Sequence, residues 1–267
     1  MPSVRVNDID IAYEVHGAGD PLLMIMGITG SKHHWLGFEK LLKDDYLTIS
    51  FDNRGVGKTT VTSAPYTMRQ MAADTVGLLD ALSIEKAHIF GVSMGGMIAQ
   101  EVALTYPERV RTLVLGCTHF GGREQIFPPA EVIERAFILA GKTSEQAMRD
   151  ILSVNLTPEF MKKRPDVVEH LMEYGLQNKM KREGFAGQMG AVSDHDTADR
   201  LDAIKGPTLS IAGDEDELIP PQNSVEIVGR IKQAQITLLP GIGHMFWIET
   251  PDEAAFQIKR FIQSHGG

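Results

Sequence analysis

One cysteine, Cys117, stands alone among 267 residues, so no disulfide can form within the chain. It follows the apolar run Thr112-Leu113-Val114-Leu115-Gly116, where a buried, inert thiol is expected. Long hydrophobic runs are also missing. None approaches the roughly 18 residues that a membrane span requires, and the first eight residues contain no apolar signal core. A cytoplasmic protein with no membrane insertion is the expectation. Basic residues are in deficit: 26 Lys and Arg against 35 Asp and Glu leave a formal charge of −9. That balance argues against nucleic acid or an anionic membrane as the main partner. The one sizeable basic run, Lys162-Lys163-Arg164, lies near glutamates and reads as a solvated helix end. Neither H-E-x-x-H nor H-x-H-x-D-H occurs, so a metal-dependent hydrolase is disfavoured, and no metal or cofactor is expected.

What the chain does have is an ordinary globular composition, 43% apolar and 23% charged. Its length suits one α/β domain, alone or with a small insertion. Strand and helix patterns alternate over the first 120 or so residues. Val4–Val6 and Ile9–Val15 flank the turn pair Asn7-Asp8, as in a hairpin. Leu22–Met26 is a continuous apolar run of the kind found in strands buried on both faces. Trp35–Leu42 reads as a helix, Leu47–Phe51 as a strand, and Met68–Leu82 as an amphipathic helix. Strands separated by helices imply parallel βαβ units with right-handed crossovers. From Thr118 to Asp199 no strand pattern is found; short helical stretches are broken by prolines and glycines and carry Met148, Met161, Met172, Met180 and Met189. Alternation resumes at Pro207. The expected organisation is a core of residues 1–119 and 200–267 with a helical lid, 120–199, inserted in it. Methionine suits a lid because a flexible thioether adapts to apolar ligands of varied shape.

The most informative stretch is Gly91-Val92-Ser93-Met94-Gly95, between the apolar strand Ala87–Phe90 and a helical run to Tyr106. A serine at a sharp strand-to-helix turn has a strained backbone, and glycines on both sides remove Cβ atoms that would clash. The turn lifts the hydroxyl above the sheet, next to N–H groups at a helix start. Ser93 is the candidate nucleophile. It needs a base, and the base needs a carboxylate to set its tautomer. In parallel α/β sheets both belong at the carboxyl ends of strands. After Thr208–Ala212 come Asp214, Glu215, Asp216 and Glu217; after Gln235–Leu239 comes Pro240-Gly241-Ile242-Gly243-His244. His244 is the candidate base, and each of the four acidic residues could orient it. His33 and His34 open a helix beside Trp35, while His119 and His195 sit at the lid boundary with no chemistry assigned.

The order Ser93, acid, His244 and the flanking segments resemble the α/β-hydrolase superfamily from end to end, especially its small single-lid esterases, enol-lactonase-like and cofactor-free haloperoxidase-like members. The resemblance implies a mostly parallel, doubly wound sheet with an inserted helical lid. The family's G-x-x-D pattern maps onto Gly213 and Asp216, making Asp216 the implied acid and Asp214 the alternative. Met26-Gly27-Ile28-Thr29-Gly30-Ser31 occupies the place of the family's His-Gly loop, with Met26 where histidine is usual. By position, the implied oxyanion donors are the backbone N–H groups of Ile28 and Met94. Asp52-Asn53-Arg54-Gly55-Val56-Gly57-Lys58-Thr59 resembles the family's D-x-R-G-x-G-x-S turn. Its Gly57-Lys58-Thr59 is no phosphate loop, because Asp52 stands where the first glycine is required. The implied activity is serine-dependent hydrolysis of a small-molecule ester or lactone. Met26, Met245 and Trp247 are the candidate residues of an apolar pocket. Lactonase action on acyl-homoserine lactones or enol-lactones, haloperoxidase or perhydrolase chemistry, and C–C bond hydrolysis would use the same three residues.

Overall fold

A computed structural model describes residues 2–63, 65–138 and 141–265; Met1, Ala64 and residues 139–140, which fall within the ranges read above, and residues 266–267 lie outside the described residues. Eight strands form one sheet: β1 (Ser3–Val6), β2 (Ile9–His16), β3 (Asp20–Ile25), β4 (Tyr46–Phe51), β5 (Ala87–Val92), β6 (Val110–Gly116), β7 (Thr208–Gly213) and β8 (Ala234–Leu239). Their spatial order is β1-β2-β4-β3-β5-β6-β7-β8. β2 runs antiparallel to both β1 and β4, and every other pair is parallel. Asn7 takes a positive φ of 50° in the two-residue hairpin, where Val6 pairs with Ile9.

Period-two packing explains the unbroken apolar runs. Leu23, Ile25, Ile89, Leu113 and Leu115 join one core cluster, while Leu22, Met24, Phe90 and Val114 join the other. Each central strand thus buries both faces, and polar alternation has no place in it. The first face is covered by α2 (Met68–Ala81) and α3 (Met94–Thr105), the second by α1 (Phe38–Leu42) and the carboxyl-terminal helix Pro251–His265.

One expected helix is broken. Trp35–Leu42 reads as continuous, but a 3₁₀ turn, Lys32–Trp35, is followed by Leu36 and Gly37 at φ of 48° and 86° before α1 begins. Gly37 accepts the left-handed conformation at no steric cost, so the chain turns there and Trp35 is driven into the core.

Between β6 and β7 lie α4 (Ala130–Phe137), α5 (Ser144–Asn155), α6 (Pro158–Lys163), α7 (Pro165–Gln177) and α8 (Arg182–Ser193). An isolated antiparallel bridge, Gly121 to Asp196, joins the two ends of this insertion. After β7 come α9 (Gln222–Arg230), β8, α10 (Phe246–Glu249) and α11 (Pro251–His265). Among the described residues no helix is long and apolar enough to cross a membrane.

Candidate active site

Ser93 links β5 to α3 with φ 55° and ψ −124°, a conformation in which a residue bearing a Cβ is strained. The surrounding glycines leave no room for a side chain. A Cβ on Gly91 would lie 2.0 Å from the Gly95 carbonyl oxygen, and one on Gly95 would lie 2.1 Å from that of Ile25. The turn is held by the Ser93 N–H donating to the Gly116 carbonyl (2.9 Å) and by Thr118 Oγ1 donating to the Ser93 carbonyl (2.8 Å). The serine is 8% exposed, at the carboxyl end of the sheet and the first turn of a 12-residue helix.

Four carboxylates follow β7, and the fold gives them different partners. Asp216 is buried; its Oδ1 accepts the N–H groups of Leu218 (2.9 Å) and Ile219 (2.8 Å), while Oδ2 lies 2.7 Å from His244 Nδ1. Asp214 is exposed and accepts the Gly241 N–H at 2.7 Å. Glu217 pairs with Arg135 at 2.7 Å, and Glu215 is exposed. With a carboxylate on Nδ1, the neutral imidazole carries its proton there and keeps Nε2 as an acceptor. Burial of the ring is the largest single influence and opposes protonation, but the Asp216 charge and hydrogen bond, together with the neighbouring Cys117, outweigh it and hold His244 well above the ordinary histidine value. The histidine loop is pinned by the Gly243 N–H donating to Glu249 Oε1 (3.1 Å) and the Met245 N–H donating to the Asn155 carbonyl (2.9 Å).

Hydrogen bonding therefore joins Asp216 to His244, whereas the link from Ser93 Oγ to His244 is not among the hydrogen bonds of the described residues. Catalytic bonds of this kind are commonly long without substrate and tighten in the Michaelis complex. A neighbour that sequence reasoning missed is Cys117. Its sulfur, a His244 ring nitrogen and an Asp216 carboxylate oxygen all lie within 4.8 Å of one another. Burial pushes this thiol's pKa up, so it stays protonated near neutrality. Only its position at the end of a central strand hinted at this.

The loop assigned to the oxyanion packs on the serine. A Cβ on Gly27 would meet Ser93 Cβ at 3.0 Å and Oγ at 3.5 Å. Asn53 Nδ2 donates to the Met26 carbonyl (2.8 Å), and the buried Asp52 carboxylate accepts the Lys32 N–H (2.8 Å) and Nζ (3.2 Å). The D-x-R-G-like turn thus holds the loop, and Asp52 also accepts the Lys58 N–H (2.9 Å), so a carboxylate already takes this backbone donor. Ile28 is half-buried and Met94 buried at the start of α3.

Of the pocket candidates, Met26 and Trp247 are core residues, and the Trp247 indole N–H donates to the His34 carbonyl at 2.9 Å. Met245 alone of the three is half-buried. His33 and His34 face Tyr174 of α7, whose hydroxyl is 2.9 Å from Ser31 Oγ. A cavity of about 430 Å³ lies behind Asp216, between the acid loop and the α5–α6 junction, lined by Arg135, Thr157 and Gly243 among others.

His119 and His195 lie with ring centroids 6.4 Å apart. Burial is the first cause that pushes each down to about 3. Both ring nitrogens of His195 are buried with no hydrogen-bond partner among the described residues. A histidine depressed on folding binds its proton more tightly when unfolded, so its stability contribution is lost as pH falls from about 6.5 towards the folded value. His195→Phe is accordingly expected to gain stability relative to the wild type between pH 7 and pH 4, by up to about 1.4 kcal/mol per pH unit. Urea unfolding of both proteins across that range reads the difference. A difference independent of pH would contradict a neutral, unpaired His195.

Residues 20–251 match the family model described as alpha/beta hydrolase fold. The chain is 30% identical over 245 residues to a poly(3-hydroxyalkanoate) depolymerase of Ectopseudomonas oleovorans, covering 91% of this chain and 84% of that one. It is 27% identical over 252 residues to 3-oxoadipate enol-lactonase 2 of Acinetobacter baylyi, covering 93% and 91%. Among solved structures, a hydrolase from Pseudomonas aeruginosa superposes with a TM-score of 0.85 at 28% identity, covering 98% and 97%. Sheet order, serine turn and family match agree: the chain belongs to the α/β-hydrolase fold family.

Proposed function

We propose that this chain hydrolyses carboxylic esters or lactones with small to medium apolar acyl groups, through Ser93, His244 and Asp216. The observation that carries the reading is the 2.7 Å bond from His244 Nδ1 to Asp216 Oδ2, buried at the same end of the sheet as the strained serine. His244 Nε2 takes the Ser93 proton as Oγ attacks the carbonyl carbon. The carbonyl π electrons move onto oxygen, and the backbone N–H groups of Ile28 and Met94 stabilise that oxyanion, typically by a few kcal/mol per donor. Collapse expels the alkoxide, which receives the proton from His244. Water then repeats the sequence on the acyl-enzyme and releases the acid. Because Asp216 raises the His244 pKa, the acid limb of kcat/KM is expected above the ordinary value near 6.5: activity is lost as pH falls through the raised value.

Residues 120–199 are proposed as the lid over this site and residues 1–119 and 200–267 as its core. The lid is expected to set substrate range. Met148, Met161 and Met172 pack into the second core cluster, which leaves Met180 and Met189 the freer pair. Truncating each of the five methionines to alanine is expected to change KM or acyl-length preference for some of them. If none shifts the preference on a p-nitrophenyl ester series, the lid is scaffold alone.

The lactone reading rests on the enol-lactonase relative. A panel of p-nitrophenyl esters, acyl-homoserine lactones and γ-lactones tests it. A kcat/KM preference of about 100-fold, roughly 2.7 kcal/mol in transition-state binding, assigns the activity to lactones or to esters. Peroxide-dependent halogenation in acetate, or cleavage of a vinylogous keto acid, with no ester or lactone turnover would reject both.

A further inference from the structure

Helix α8 belongs to the insertion, yet its buried residues are Gly184, Gly187, Gln188 and Ala191, spaced i, i+3, i+4 and i+7 on one face. Two of them are glycines for a steric reason. A Cβ on Gly184 would lie 2.2 Å from the Gly55 carbonyl oxygen, and one on Gly187 would lie 2.5 Å from the Tyr66 ring. The helix backbone therefore rests directly on the core and carries Gln188, 0% exposed, into it.

Both ends of the Gln188 amide are used. Oε1 accepts the Thr29 N–H at 2.9 Å, and Nε2 donates to the Arg54 carbonyl at 2.9 Å. An amide N–H can only donate and a carbonyl only accept, so these partners fix the amide's orientation. Arg54 is a rigid support, paired to the buried Asp74 at 2.8 Å and to Asp8 at 2.6 Å. Thr29 is the residue that needs support: it is β-branched yet has φ 61°. It directly follows Ile28. The loop is tied at its start by Asn53 and just beyond its end by Asp52, both from the core. Its middle is tied by Gln188, from the insertion.

We infer that Gln188 is a positioning residue for the oxyanion loop: α8 holds Thr29 in its left-handed conformation and so sets the direction of the Ile28 N–H. The inference rests on the serine-hydrolase reading above. It also gives the insertion a second role beside substrate range, because Gln188 of α8 acts on the chemical step through the loop.

The test compares wild type, Ser93→Ala, Gln188→Met and Gln188→Glu on a p-nitrophenyl acetate assay, with melting temperature as the check on folding. Gln188→Met keeps the volume and removes both bonds. Its kcat is expected to fall about 10- to 100-fold, with KM within about threefold. That is less than the roughly 100- to 1000-fold cost of deleting an oxyanion donor outright, because the Ile28 N–H is misaligned and not removed. Affinity for a trifluoromethyl ketone, which forms a tetrahedral adduct on the serine, is expected to fall in parallel. In Gln188→Glu a protonated carboxyl keeps both bonds and an ionised one opposes the Arg54 carbonyl. The ratio of its kcat to that of wild type is therefore expected to decline as pH rises from 5 to 9. Wild-type kcat in Gln188→Met, or a loss confined to KM, overturns the inference; if that variant does not fold, a pH-independent ratio for Gln188→Glu does so. An active Ser93→Ala would instead remove the serine reading, which separates the two failures.

Discussion

Ser93→Ala is expected to lower kcat by about 10⁴-fold or more while leaving the fold intact. The size of the effect follows from covalent chemistry: without Oγ no acyl-enzyme forms, and only binding and the oxyanion donors remain to assist water. Folding tolerates the change because the bonds that hold this turn, Ser93 N–H to Gly116 and Thr118 Oγ1 to the Ser93 carbonyl, use backbone atoms of residue 93. Alanine keeps the Cβ and the strained φ that serine already has. Steady-state kinetics with an unchanged thermal midpoint is the check, and stoichiometric labelling of wild-type Ser93 by an organophosphonate is its positive counterpart. More than a few per cent of wild-type kcat, with contamination excluded, would end the serine mechanism.

Asp216→Asn is expected to cost about 10³- to 10⁴-fold in kcat, against only a few-fold for Asp214→Asn. An asparagine amide facing Nδ1 can present N–H and favour the tautomer that places the histidine proton on Nε2, where it cannot accept from serine. It also removes the charge that raises His244, so the residual activity should have its acid limb at lower pH than the wild type. Asp214 is exposed and tied to the Gly241 N–H, so its neutralisation touches loop geometry alone. If Asp214→Asn proves the more damaging change, or if the acid limb of Asp216→Asn does not move downward, the carboxylate at 2.7 Å is not the orienting acid.

Both variants bear on residues whose surroundings were unequally legible. The elbow is encoded locally in part. A Cβ on Gly91 would strike the Gly95 carbonyl oxygen 2.0 Å away, four residues on, whereas a Cβ on Gly95 would strike that of Ile25 in β3 at 2.1 Å, a demand made by the packed sheet. The strands were legible for a similar reason, since a strand buried on both faces reads as an unbroken apolar run. The helix expected over Trp35–Leu42 misled because apolar spacing reports burial and not dihedral angles. Leu36 and Gly37 bend the chain without breaking the pattern of buried residues. Four consecutive acidic residues after Gly213 could not be ranked by spacing, and only the family resemblance favoured Asp216.

By itself the sequence determined the alternation of strands and helices, the serine turn, and the order of serine, acidic cluster and histidine along the chain. These are carried by periodicity and by residue types within a few positions, which any short window records, although the clash that requires Gly95 is made by Ile25 of β3. Only the tertiary structure decided that Asp216 meets the imidazole, that Cys117 lies beside it, and that Gln188 reaches Thr29 across 159 positions. Contacts of that kind depend on how β7, β8 and α8 dock onto the sheet, and docking is a property of the packed whole that no local pattern carries.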